Sequence, residues 1–135
     1  MNRKYRKSLF PKKSHMSEIL YGYNDNKNYK SLVIVEGIWD WFAIKRYIKG
    51  AMALLGSSIS KRQAELLSRT KANNIYLMLD GSIKTETLKK LHYRLSEACY
   101  DKEVRACFLP DGKDPDEASR SEIAKSIMNS RVYLF

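Results

Sequence analysis

The chain is poor in the residues that build disulfides and soft-metal sites. It has two cysteines, Cys99 and Cys107, and two histidines, His15 and His92, in 135 residues. No CxxC or HxxxH spacing is present, which argues against a zinc site. Two thiols in such a chain fit a reducing, cytosol-like compartment. Long apolar runs are missing too: none approaches the roughly 18 residues needed to span a bilayer. The basic N-terminus has no apolar stretch behind it, which speaks against a secretory signal. Acidic residues are the scarcer charge, 15 Asp+Glu against 25 Lys+Arg, a formal +10. No internal repeat or low-complexity segment is visible.

What is present describes a folded protein. Hydrophobic residues make up 44% of the chain, too many for a disordered polycation. The length sets an expectation of one domain with its own core. The excess charge points to polyanions as partners, nucleic acid or nucleotide first. That charge is uneven. Residues 1–30 hold eight Lys/Arg against two acids, a net of +6, while the other 105 residues hold seventeen against thirteen, a net of +4. The head is therefore read as a basic N-terminal extension over residues 1–30. It carries Arg3, Lys4, Arg6, Lys7, Lys12 and Lys13 interleaved with Tyr5, Phe10, Tyr21, Tyr23 and Tyr29. Such a mixture can pair with phosphates and stack on bases; alternatively, its aromatics dock on the body.

Downstream, short apolar runs alternate with helical patterns. Leu32–Val35 reads as a first strand ending at Glu36-Gly37, and residues 39–49 as a helix stopped by Gly50. Ala51–Leu55 reads as a second strand ending at Gly56-Ser57-Ser58. Ser60 is placed to cap a helix running to about residue 72. Ile75–Leu79 is a third strand, ending at Asp80-Gly81. Thr85 would cap a helix over 86–100, with Leu88, Leu91, Leu95 and Ala98 on one stripe. Val104–Leu109 is a fourth strand, and residues from Pro115 to about Met128 a last helix. Short strands alternating with helices imply an α/β fold: about four parallel strands flanked by helices. Trp39, Trp41 and Phe42 are read as helix packing, His92 as surface or core, and both cysteines as buried.

In such sheets ligands bind beyond the carboxyl ends of the strands. Glu36, Asp80, Asp114 and Asp116 all stand there, with Asp40 a turn beyond Glu36. Clustered carboxylates repel one another unless a cation neutralises them, and hard divalent ions take oxygen ligands and bridge to phosphates. The alternative is that acids simply favour strand-end loops and helix N-termini, which Asp-Pro-Asp at 114–116 also satisfies. Ser57 and Ser58 lack a His/Asp constellation, so a turn role near the substrate is assigned to them.

The order of these pieces resembles a known family. Val35-Glu36-Gly37-Ile38-Trp39-Asp40 is similar to VEGxxD, Leu55-Gly56-Ser57-Ser58 to LGT, and Leu79-Asp80-Gly81 to the start of a DxD motif. Residues 109–117, LPDGKDPDE, and Leu20-Tyr21-Gly22-Tyr23 complete the pattern of the Toprim domain of bacterial and phage DnaG-type DNA primases. The resemblance implies a Toprim-like, Rossmann-type fold over residues 31–135. It implies Glu36 and Asp80 as catalytic acids, with Asp80, Asp114, Asp116 and Asp40 as ligands or close neighbours of Mg²⁺ (or Mn²⁺). The basic extension and Lys84 would contact nucleic acid or nucleotide, and Gly37, Gly56, Ser57, Gly81 and Ser82 would form the site loops. The implied activity is nucleotidyl transfer, joining NTPs into RNA primers on a single-stranded DNA template. It would take place in the cytoplasm, the host's if phage-encoded. Other primase domains or subunits, or a replicative helicase, would be partners, and no membrane. Ser82 departs from the pattern, standing where the family has the second DxD acid; its hydroxyl is a weaker, neutral ligand. Lys84 and Thr85 stand where a small residue and glycine are usual. Two other readings follow from these departures and from the small size: a non-catalytic nucleic-acid-binding or assembly subunit, and a small Toprim nuclease.

Overall fold

The computed structural model describes residues 19–132. The elements run α1 (Tyr23–Asn26), β1 (Ser31–Val35), α2 (Ile38–Lys45), β2 (Ala51–Ala53), α3 (Lys61–Ser68), β3 (Asn74–Leu77), α4 (Thr85–Ala98), β4 (Glu103–Ala106), a 3₁₀ turn at Pro110–Gly112, and α5 (Arg120–Met128). The four strands form one parallel sheet in the order β2-β1-β3-β4. The expected parallel α/β sheet is therefore present. Val33 of β1 pairs with Ala51 of β2 and Tyr76 of β3, which fixes the register across the centre.

Successive strand residues point to opposite faces, and both faces are covered. Leu32, Ile34, Met52, Leu54, Ile75 and Leu77 pack with Leu67 of α3 and Leu88, Leu91 and Leu95 of α4. Val33, Val35, Ala51, Ala53 and Met78 pack with Ile44 of α2 and Ile123 of α5. Part of the expected extension belongs to this body. Leu20 is buried in the core, and Tyr21 exchanges two backbone hydrogen bonds with Ala53 of the edge strand β2. Arg3, Lys4, Arg6, Lys7, Lys12 and Lys13 lie outside the described residues.

Helix starts were partly legible. Ser60 caps α3 through a capping box: its hydroxyl accepts from the Gln63 N–H, and the Gln63 side chain accepts from the Ser60 N–H. Buried Gln63 also donates to the carbonyls of Ile19 and Leu54, stitching α3 to the chain before α1 and the end of β2. Thr85 does not cap α4; it is the first helical residue, and Lys84 stands at the cap with no side-chain bond. The last helix does not open at Asp-Pro-Asp. It begins at Arg120, where Ser119 and Glu122 form a second capping box, and residues 115–118 make turns instead. The strands are also shorter than the apolar runs. Leu54, Met78, Leu79 and Cys107 are buried beyond the strand ends, so their hydrophobicity reports coverage by helices and not strand membership. Among the described residues no helix is long and apolar enough to cross a membrane.

Candidate active site

β1 and β3 are the central strands, and the chain leaves them in opposite directions: from β1 to β2 on one side, and from β3 to β4 on the other. That is the switch point at which α/β sheets open a crevice beyond their carboxyl ends. Glu36, half-buried, directly follows β1, and its backbone carbonyl accepts from the Leu55 N–H at 2.8 Å. Asp80 follows β3 and is 3% exposed. Gly37 is the N-cap of α2, and a Cβ there would stand 3.6 Å from the Asp40 carboxylate.

The segment after β4 folds back over this edge. The Gly81 N–H donates to Asp114 Oδ1 at 3.1 Å, joining the turn after β3 to the loop after β4. The approach is so close that a Cβ at Gly81 would lie 2.0 Å from the Gly112 carbonyl oxygen; only glycine fits. Gly56 differs, since a Cβ there meets nothing within 4 Å. The Asp116 N–H donates to Asp40 Oδ1 at 3.2 Å, tying the same loop to α2. Asp40, 2% exposed, therefore buttresses the backbone of Asp116.

These ties gather three carboxylates. Asp114, Asp116 and Glu117 each present an oxygen within 4.8 Å of the others, and among the described residues they are the one acidic group of three or more close enough to share an ion. Asp80, Glu36 and Asp40 were expected in this company but stand outside the group. The Asp80 turn is linked to it through Gly81, and α2 through Asp40. Glu117 was not singled out from sequence. Its signal was the spacing Asp114-x-x-Glu117, which one turn brings together: Glu117 accepts from the Asp114 N–H at 2.9 Å, and its own N–H donates to the Asp114 carbonyl. A donor set made only of carboxylate oxygens suits hard divalent ions such as Mg²⁺, Mn²⁺ or Ca²⁺ over soft metals. The residues present thus fit the expected group.

Lys113 is turned from the acids to Glu122, with its Nζ 3.0–3.1 Å from both carboxylate oxygens. Glu122 is held below the usual carboxylate range, first by the Ser119 backbone N–H and then by Lys113. The pair anchors α5 to the loop that carries the cluster. Ser82 and Lys84 are exposed on the turn beyond Asp80. Ser57 and Ser58 line a cavity of about 440 Å³ with Thr87, Lys90 and Arg94 of α4.

A four-stranded parallel sheet whose switch point is overlaid by an acidic LPDGKDPDE loop defines the class of an α/β domain. Residues 33–119 match the Toprim-like family. The chain is 34% identical over 115 residues to the DNA primase of Escherichia coli K12, a stretch covering 80% of this chain and 20% of that protein. The fold superposes on the Aquifex aeolicus primase with a TM-score of 0.71 at 26% identity, covering 90% of this chain and 32% of that one. A DnaG primase catalytic domain bound to single-stranded DNA gives the same TM-score at 28% identity, covering 87% and 40%. The chain belongs to the Toprim-like family, and its domain is of the kind found in DnaG-type primases. It spans about a fifth of the length of the curated relatives it matches.

Proposed function

We propose that this chain is the Toprim part, or a separate Toprim subunit, of a phage-like DNA primase that joins NTPs into RNA primers on single-stranded DNA in the cytoplasm. The observation that carries this reading is the pair of ties, Gly81 N–H to Asp114 and Asp116 N–H to Asp40, that assembles carboxylates at the switch point. Asp114, Asp116 and Glu117 would hold Mg²⁺, with Asp80 beside them; the ion supplies charge neutralisation for the triphosphate as the transition state develops. Glu36, at the end of β1, would take the proton from the attacking 3′-hydroxyl as that oxygen bonds to the α-phosphorus and pyrophosphate leaves. Buried Asp40 would hold the loop still. The basic extension over residues 1–30 and Lys84 would bind template or nucleotide. The remainder of a primase, which this chain does not span, would come from other domains, a partner subunit or the helicase complex. The relative crystallised with single-stranded DNA supports that choice of template.

Primer synthesis on single-stranded DNA, with NTPs and Mg²⁺, tests the reading, alone and with a DnaG-type primase fragment lacking its Toprim domain. Product that falls by about 100-fold or more in Glu36→Gln and Asp114→Asn supports it. Absence of product in every combination, in Ser82→Asp as well, overturns it. Cleavage of nucleic acid without NTPs would assign the chain to the Toprim nucleases. Ser82 favours a second reading, a non-catalytic binding subunit, whose mark would be DNA binding indifferent to Mg²⁺ and to Glu36→Gln.

A further inference from the structure

Helix α2 carries a surface that the acidic site does not use. Its inner side is locked: the Trp41 indole N–H donates to the Ala51 carbonyl at 2.7 Å, and the ring meets Tyr21 edge-on at 4.8 Å. Its outer side is aromatic and cationic. Phe42 is 44% exposed, and Tyr47, in the turn that follows the helix, 39%. Lys45 Nζ lies 4.7 Å from the Trp41 ring centre and 5.3 Å from that of Phe42. The guanidinium groups of Arg46 and Arg120 both face the Tyr47 ring, at 5.2 and 5.8 Å. Phe42 and Arg46 are four residues apart, one turn on the same helical side, so the two groups adjoin. The one acid of α2, Asp40, is buried and turned to Asp116, so it adds no counter-charge to this side. Arg120 begins α5, four residues after Asp116 of the acidic loop.

We infer that the outer side of α2, with Arg120, is a binding track for single-stranded nucleic acid. Exposed rings offer stacking faces that any base can use. Three cations, held over those rings, can pair with phosphates along the same strand. A lone hydrophobic partner would not need the cations, and a duplex hides the base faces that the rings would meet.

The chain reports on this surface by itself, because its only two tryptophans, Trp39 and Trp41, both lie in α2. The full chain is titrated with oligo-dT, oligo-U and a duplex of equal length, in EDTA and without NTPs, following tryptophan fluorescence and anisotropy. The readout thus stands or falls independently of primer synthesis. Single strands are expected to quench the fluorescence and the duplex to leave it unchanged; the oligo-dT and oligo-U arms separate DNA from RNA as the preferred strand. Phe42→Ala and Tyr47→Ala should each weaken single-strand affinity about tenfold. Arg46→Ala with Arg120→Ala should flatten the slope of log K against log salt by about 1.4. Lys45→Glu, at an exposed position, serves as a second variant that leaves the core intact. Four results would overturn the inference. They are binding and quench unchanged in these variants, equal quench by duplex, a quench lost as fully in Lys12→Ala with Lys13→Ala as in the surface variants, and a quench produced only by adding a protein subunit.

Discussion

The two faces of the sheet are built from different material. Under α3 and α4 the strands offer Leu32, Ile34, Met52, Ile75 and Leu77, with Leu54 just past β2, long side chains met by leucines from both helices. Under α2 and α5 they offer Val33, Val35, Ala51 and Ala53, smaller groups, joined by Met78 and Cys107 just beyond the strand ends. Both faces carry buried polar groups, but those of the first tie the core together, as Gln63 does to the Ile19 and Leu54 carbonyls, whereas on the second Asp40 receives the N–H of Asp116 in the acidic loop. Apolar area is the main source of stability. The α3/α4 face therefore does most of the holding, and the α2/α5 face spends packing volume on positioning the acidic loop.

The sharpest test of that division is Leu95→Ala. This residue is fully buried on the aliphatic face, and its truncation should cost about 2–5 kcal/mol. Urea unfolding would measure the cost, while Mn²⁺ binding by the folded fraction should be unchanged; a loss of ion affinity would blur the comparison. Gly81→Ala should do the reverse. Overpacking against the Gly112 carbonyl should cost about 1–3 kcal/mol, less than the core truncation, but with a clear loss of Mn²⁺ affinity. Gly56→Ala is its control and should stay within about 0.5 kcal/mol. The two capping boxes allow a matched pair. Ser60→Ala and Ser119→Ala should each cost about 1 kcal/mol, yet Ser119→Ala alone should also weaken ion binding, since it loosens the start of α5.

The smallest effects are those of pH. Burial pushes the Cys107 thiol from its ordinary 9.0 up to about 12 and the Cys99 thiol up to about 11. The folded state therefore keeps these protons longer than the unfolded chain. Stability should be unaffected below pH 9 and fall as pH rises from there toward the folded values. Glu122 works in the other direction. Its folded value is depressed, so its small contribution is present above its ordinary 4.5 and is lost as pH falls through the folded value. Urea melts at neutral, alkaline and acid pH would separate the two. A thiol reagent that labelled Cys107 rapidly in the folded state at pH 8 would contradict the burial argument.

Sheet class and core stripe were open to reading because period-2 and period-3.6 patterns report burial directly. Leu88, Leu91 and Leu95 fell on the predicted stripe, and Ser60 at its predicted cap. Element ends were harder to read. Apolarity continues past Ala53 through Leu54 and Leu55, but Leu55 turns to a positive φ of 62° and the strand stops. The acids at the carboxyl ends were visible from sequence, but their grouping was not. Glu117 joins Asp114 and Asp116 because residues 115–118 form turns instead of the first turn of α5. A capping serine at 119 outcompeted Asp-Pro-Asp as the helix start, and one local competition thereby decided which carboxylates meet. Phe42 was expected to pack at the helix core or edge; it meets the rings of Trp41 and Trp39 at 5.2 and 6.2 Å while remaining 44% exposed.

The two ties that close the crevice span 33 and 76 residues of chain. During synthesis the last strand is complete at Ala106, before any of the carboxylates at 114, 116 and 117 has been added. The sheet can therefore form before the acids meet. On the ribosome, ion affinity would appear only after the sheet, and its appearance would mark the moment when the loop after β4 has found α2.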